Sequence, residues 1–315
     1  MTTESMTVGI IGLGAFGQAL ASIAMRNLNA ERIGALHLWA RRKEIVDAWH
    51  TPQTGIHATT NLAAVLKADL LIYALPAQVF RPFWVAHKAD LPPATPLLIT
   101  AKGLETNTGL TLPEVASDLG LPNPLALLSG PHLAKELCLH SPAVALIAGA
   151  PKLTERFTQV LATDTFALST TTDVTGTAVA GALKNCFAVL SGILQAQQAP
   201  QNTLFSYLAV GLQEITKLAR SLGAQPETTG LPPLIADYML TTFSRDSRNT
   251  KAGLAIGHNQ RLDGQPLAEG LATLKGALQR AEKEKIALPL LKAVKTCAEN
   301  GGDFLPTYPL RTLAT

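Results

Sequence analysis

The sequence predicts an α/β N-terminal domain built on a mostly parallel sheet, followed by an all-α C-terminal domain. Three observations carry this expectation. The chain has 315 residues, enough for two domains of the usual ~150 residues. Short β-rich apolar runs alternate with helix-length segments through its first half, the pattern of a parallel sheet covered on both faces. After Thr170-Thr-Thr-Asp173 the strand-like runs stop, and long helical stretches continue to about residue 300. The boundary is therefore placed after residue 170, giving domains 1–170 and 171–315.

The elements follow in order. Thr7-Val-Gly-Ile-Ile11 is the first strand, and behind its turn glycines Gln18 to Asn27 read as a helix. Ala35-Leu-His-Leu-Trp39 is the second strand, and a third ends within Asp69-Leu-Leu-Ile-Tyr-Ala-Leu-Pro76. Further strands are expected in Pro96–Thr100, Pro124–Leu128, Ala143–Ile147 and Thr165–Ser169. The most apolar stretch, Thr175 to Leu194, carries Lys184 at its middle, so no integral membrane segment is expected.

Composition removes several classes of function. With 47% hydrophobic, 16% charged and 5% aromatic residues, the chain is neither disordered nor rich in stacking platforms for single strands. Its net charge of +3 comes from 26 basic and 23 acidic residues with no basic arm, so no nucleic-acid partner is expected. Cys138, Cys186 and Cys297 lie far apart without CxxC pairing, and the seven histidines lack ligand spacing, so no metal is expected. The first residues lack the basic region of a signal peptide, and a reduced, cytoplasmic protein is the reading.

Gly12-Leu-Gly-Ala-Phe-Gly17 is G-x-G-x-x-G between a strand and a helix. Gly12 makes the tight turn, Gly14 lets the backbone approach a pyrophosphate, and Gly17 lets helix and strand pack closely, which makes the first domain Rossmann-type and dinucleotide-binding. At the end of the second strand, where an acid would read the adenosine ribose, stand Ala40, Arg41 and Arg42. Two guanidiniums there suit a 2′-phosphate, so the cofactor is NADP or NAD, with NADP favoured.

Between Val174 and Gln213 the single formally charged side chain is Lys184, with Ala180, Gly181, Phe187 and Ala188 three and four positions away on a helix. Burial of that ammonium lowers its pKa toward the range where a lysine gives and takes a proton near neutral pH. The other reading is a lysine that snorkels along an apolar wall. From Asp237 to Asn249 the chain gathers a carboxylate, hydroxyls, an arginine fork and an amide. Ser247-Arg248-Asn249 is well composed to hold a phosphate, although composition alone also fits a solvated loop.

With those regions in hand, the sequence resembles the bacterial NAD(P)-dependent glycerol-3-phosphate dehydrogenase family from about residue 7 to about residue 295. The resemblance runs in order through the glycine loop, Leu75-Pro76-Ala-Gln, Ala101-Lys102-Gly103-Leu-Glu105, and Leu128-Ser-Gly130-Pro131-His-Leu-Ala134-Lys-Glu136. It continues through Asp173-Val-Thr-Gly176, Ala182-Leu-Lys184-Asn185, Gly211-Leu-Gln-Glu214, Gly230-Leu231 with Asp237, and Ser247-Arg248-Asn249. The resemblance implies a catalytic set of Lys184 as proton donor and acceptor, Lys102 as a second lysine touching cofactor and substrate, and Asp237. The candidate substrate contacts are Lys102, Gly130, Lys184, Asn185, Asp237, Thr241, Ser247, Arg248 and Asn249, with His132, beside Gly130, added to them. For the nucleotide the resemblance implies Gly12, Gly14, Ala15, Phe16, Gly17, Arg41, Arg42, Pro76, Lys102, Ala134, Arg248 and Glu269.

Three departures stand out. Gly230-Leu-Pro-Pro-Leu-Ile-Ala-Asp237 is one residue longer than the family's Gly-Leu-Ala-Gly-Leu-Gly-Asp and has lost two glycines, so the segment before Asp237 must differ in shape. His132 replaces the serine usual after Gly-Pro, and the family's Asn-x-x-Tyr-Leu stretch is absent around residues 49–56. The implied activity is reversible reduction of dihydroxyacetone phosphate to sn-glycerol 3-phosphate, supplying glycerophospholipid synthesis, with a small phosphorylated substrate as partner and compatible with a homodimer. The alternatives are a ketoacid or β-hydroxyacid reductase of the ketopantoate reductase or hydroxyisobutyrate dehydrogenase kind, and a non-catalytic NADP-sensing protein.

Overall fold

The computed structural model describes residues 6–49, 55–244, 247–260 and 268–312. The chain forms two compact units: residues 1–101 with 113–174, and residues 102–112 with 175–315.

The first unit carries one eight-stranded sheet. Its strands are β1 (Thr7–Ile11), β2 (Ala35–Trp39), β3 (Ile56–Thr59), β4 (Leu70–Tyr73), β5 (Leu97–Ile99), β6 (Leu125–Ser129), β7 (Ala143–Ala148) and β8 (Phe166–Thr171). The order is β3-β2-β1-β4-β5-β6-β7-β8, and every neighbouring pair is parallel except β6 with β7. The strands are nearly continuous apolar runs because both faces are covered; Leu70 to Tyr73 are all fully buried. Helices α1 (Ala15–Asn29), α2 (Lys43–Asp47), α3 (Leu62–Val65), α4 (Phe80–His87), α5 (Leu112–Asp118), α6 (Ala134–Cys138) and α7 (Pro151–Leu161) connect them. Val8, Ile10, Leu20, Ile23, Leu36, Leu38, Ile72 and Phe157 belong to one buried cluster. A second cluster joins Tyr73 edge-on to Phe80 and Phe83, and Phe83 edge-on to Trp84. Each such ring contributes roughly 1.5–3 kcal/mol through burial.

β3 has no counterpart in the sequence reading, so the strand expected third is β4. It has one large apolar residue, Ile56, and lies at the sheet edge beside β2, where it is stabilised by pairing more than by its own pattern. Helix α1 begins at Ala15, inside the glycine motif, earlier than the expected Gln18. The order in which strands are added reverses at β1: β2 and β3 extend the sheet on one side and β4 onward on the other, and the glycine loop leaves the C-terminal end of β1 at that switch point.

In the second unit the helices are α8 (Val174–Ala196), α9 (Gln201–Ser221), α10 (Pro232–Phe243), α11 (Arg248–Gly257), α12 (Glu269–Lys283), α13 (Pro289–Asn300) and α14 (Phe304–Thr307). α8 is apolar all round because it is the core helix of this unit. Among the described residues it is the one helix long and apolar enough to cross a membrane, and 94% of its most apolar window is buried inside the protein. Pro232 and Pro233 occupy the first positions of α10, where a proline's fixed φ suits a helix start and its missing N–H costs nothing. The altered segment before Asp237 therefore begins a helix at its two prolines, and Asp237 stands inside that helix.

Candidate active site

The glycine loop is built for close approach. Gly12 has φ of +103°, and a Cβ at Gly17 would meet the Gly12 carbonyl oxygen at 1.8 Å, so neither position accepts a side chain. A Cβ at Gly14 would meet nothing within 4 Å, which leaves its backbone open, and no side chain caps the N-terminus of α1 there. Uncapped amides at a helix N-terminus beside an open backbone fit a pyrophosphate. Phe16, in the first turn of α1, stacks on His132 with ring centroids 5.5 Å apart, and His132 packs on Phe166 at 5.4 Å. The imidazole folds back over Gly130, whose φ is +139° and whose missing Cβ would lie 2.9 Å from His132 Nε2. His132 is thus brought to the glycine loop's aromatic residue. Arg41 and Arg42 are exposed just after β2, Pro76 is exposed beyond β4, and Ala134 opens α6, a helix packed against α1.

The second unit brings together the two lysines and the aspartate. Asp237, on α10, is 1% exposed, and its Oδ1 accepts a hydrogen bond from Lys184 Nζ while its Oδ2 accepts one from Lys102 Nζ at 2.7 Å. Lys184 Nζ also donates to Thr241 Oγ1 at 2.8 Å. Thr241 stands one turn after Asp237 on α10 and donates back to the Asp237 carbonyl at 2.7 Å, so the helical i, i+4 spacing places acceptor and hydroxyl side by side. Lys184 sits mid-way along α8 and is 7% exposed. Burial and the Lys102 ammonium lower its pKa and the Asp237 carboxylate raises it; burial dominates, and the result is about 8.

Asn185 and Asn249 are engaged within the protein. Asn249 Nδ2 donates to Asn185 Oδ1 at 2.9 Å, and Asn249 Oδ1 accepts from Gly270 N at 2.9 Å, which ties the start of α11 to α8 and α12. The Asn185 amide reaches the Lys102 carbonyl at 3.5 Å. Ser247 caps α11 by accepting from Thr250 N, and exposed Arg248 follows as the first residue of that helix. Arg245 and Asp246 of the same cluster lie outside the described residues. Glu269, at the start of α12, has a carboxyl pushed up by burial against the opposing pull of Arg248, Lys184 and Lys102. The sequence reading did not single out Glu214 as a buried acid: its carboxylate accepts from Leu290 N at 2.6 Å and Leu291 N at 2.9 Å, holding the N-terminus of α13. A glutamate on the apolar face of α9, at helical spacing from Tyr207, Val210, Gly211 and Leu218, is the signal that could have found it.

Comparison with known proteins agrees along most of the chain. The model of the NAD-dependent glycerol-3-phosphate dehydrogenase N-terminus matches residues 7–154, and that of the C-terminus matches residues 173–305. A Rhodospirillum rubrum protein named glycerol-3-phosphate dehydrogenase (NAD(P)+) is 34% identical, covering 97% of this chain and 91% of its own. One of the same name from Zymomonas mobilis is 33% identical, covering 91% and 87%. The crystal structure of a Coxiella burnetii glycerol-3-phosphate dehydrogenase shares the fold, with a TM-score of 0.86 over 98% of both chains at 24% identity. The chain belongs to the NAD(P)-dependent glycerol-3-phosphate dehydrogenase family.

Proposed function

We propose that the protein catalyses the reversible NAD(P)H-dependent reduction of dihydroxyacetone phosphate to sn-glycerol 3-phosphate, supplying glycerophospholipid synthesis in the cytoplasm. The observation that carries this reading is a buried lysine poised near pH 8 and sharing one carboxylate with a second lysine. Reduced nicotinamide, when bound, supplies a hydride to the carbonyl carbon. Lys184 has three N–H bonds, of which two go to Asp237 and Thr241. The third delivers a proton to the carbonyl oxygen as it becomes an alkoxide, and takes one back in the oxidative direction. Lys102 adds a positive charge that stabilises the same oxygen, and Asp237 aims both ammoniums. Arg248, with its planar fork at the N-terminus of α11, binds the substrate phosphate and orients the carbonyl through remote binding energy. Asn185 and Asn249 support this reading by holding α8, α11 and α12 together behind the site.

The cofactor contacts proposed are Gly12, Gly14, Ala15, Phe16 and Gly17 for the pyrophosphate side, Arg41 and Arg42 for the ribose, with NADP favoured over NAD. The scattered charges, with no basic arm, support the absence of a nucleic-acid partner, and the arginine fork of Arg248 supports a small phosphorylated substrate. The test is oxidation of NADPH and NADH with dihydroxyacetone phosphate beside a panel of unphosphorylated ketoacids. Turnover is expected with the phosphate ester; turnover of ketopantoate in its place would establish the ketoacid-reductase alternative.

A further inference from the structure

Lys102 reaches Asp237 from residues 102–112, a short segment that belongs with the helices rather than with the sheet that precedes it. The segment closes on itself: Leu104 bridges Thr111, Glu105 N donates to the Leu110 carbonyl at 2.9 Å, and Gly109 N donates to the Glu105 carbonyl at 2.9 Å. It then lies along one face of α12. Thr106 Oγ1 donates to the Ala272 carbonyl at 3.3 Å, and Lys283 Nζ donates to the Thr108 carbonyl at 3.0 Å. Between these tethers two glycines meet. A Cβ on Gly276 would lie 2.6 Å from the Glu105 carbonyl oxygen, and a Cβ on Gly109, whose φ is +72°, would lie 2.5 Å from the Gly276 carbonyl oxygen. Residues 272, 276, 280 and 283 share one helical face, so the contact is a continuous seat. Glycine is a poor choice inside a helix, and the approach of the Glu105 carbonyl gives Gly276 its reason.

We propose that Gly276 is a positioning residue for the reaction: it seats the 102–112 segment on α12 so that Lys102 is held on the Asp237 carboxylate beside Lys184. The inference rests on the reading of Lys184 as proton donor. The charged and hydrogen-bonding groups facing Lys184 are Asp237 and Thr241 from α10 and Lys102 from the segment, while Arg248 of α11 and Glu269 of α12 stand in the same electrostatic neighbourhood. A Lys102 that withdraws takes a like charge away and leaves Lys184 a larger share of the carboxylate. Both changes favour the ammonium, so loosening the seat moves the titration of Lys184 upward.

The test is Gly276→Ala, read in two ways on the full-length protein. Carbon-13 NMR of lysine Cε, with Lys184 assigned through Lys184→Met, follows the ammonium directly, and the pH dependence of dihydroxyacetone phosphate reduction follows its use. In Gly276→Ala the Lys184 midpoint should rise by about 0.5–1 pH unit. Lys102→Met alone should give the same rise, and adding Gly276→Ala to it should give nothing further. A Gly276→Ala protein whose Lys184 midpoint is unchanged, or a double variant whose shifts add, overturns the proposal. Should Gly276→Ala fail to fold, Thr106→Val with Lys283→Met loosens the same seat without a clash; a smaller upward shift supports the seat and an unchanged midpoint overturns it. If the NMR midpoint moves while the rate profile stays, the seat stands and Lys184 is not the proton donor.

Discussion

At the scale of single residues the site turns on how one carboxylate is divided. Asp237 accepts from two ammoniums, so neither lysine is fully neutralised, and burial is the effect that sets Lys184 near pH 8. A protonated Lys184 is needed for reduction and a neutral one for oxidation. As pH rises through about 8, kcat/KM for dihydroxyacetone phosphate should therefore fall about tenfold per pH unit, while kcat/KM for glycerol 3-phosphate should rise to a plateau. Lys184→Met keeps most of the stem and removes the proton carrier. Turnover should drop by ~10²–10⁴-fold with the pH limb abolished, and NADPH affinity measured by fluorescence should stay within a few-fold. Near-normal turnover in that variant would make Lys184 a structural lysine. The same scale shows why Asn249 is ambiguous in sequence. An amide beside an arginine reads as a phosphate ligand, whereas its partners here are Asn185, 64 positions away, and Gly270, 21 positions away, and no local pattern announces either.

At the scale of elements, what the sequence showed was what local composition and segment length encode. The strand, glycine turn and helix at the start, the buried helix around Lys184 and the change from strands to helices after residue 173 all show as apolar runs of characteristic length bounded by turn residues. β3 does not, since a four-residue edge strand with one large apolar side chain has too little pattern to separate it from a loop. The 102–112 segment is equally silent, because its place depends on a glycine 167 positions downstream of Gly109. α10 is legible in part: Pro232-Pro233 is a helix-start signal, although the family comparison alone gives only a segment of altered shape. Glu214 makes α13 pH-sensitive. Burial raises its carboxyl to about 7 although two backbone N–H groups favour the charged form. A carboxyl raised in the folded state binds its proton more tightly there than in the unfolded chain. Its contribution is thus fully present below about pH 4.5 and is lost as pH rises to about 7. The loss is on the order of 3 kcal/mol. Relative to Glu214→Gln, which does not titrate, the wild type should lose urea stability between pH 5 and pH 8. Parallel stability curves for the two proteins would show that Glu214 keeps an ordinary affinity for its proton.

At the scale of the whole molecule, binding and stability are one equilibrium. A ligand that binds only the folded chain raises its stability with the logarithm of concentration over Kd, by about 2.7 kcal/mol at a hundredfold excess. Melting temperature therefore reads cofactor preference without turnover. Arg41 and Arg42 are exposed after β2, at the position that reads the ribose in a sheet of this topology. If they hold a 2′-phosphate, NADPH should raise the wild-type melting temperature more than an equal concentration of NADH. Arg41→Asp then puts a carboxylate where the guanidinium was, so it repels the 2′-phosphate and offers the NADH ribose an acceptor. The variant without ligand should melt close to the wild type, because a substitution at an exposed surface position usually changes stability by no more than about 0.5 kcal/mol. With ligand, the stabilisation by NADPH should shrink to or below that given by NADH. An equal loss for both cofactors would place Arg41 against a group they share, such as the pyrophosphate, and would remove the basis for preferring NADP.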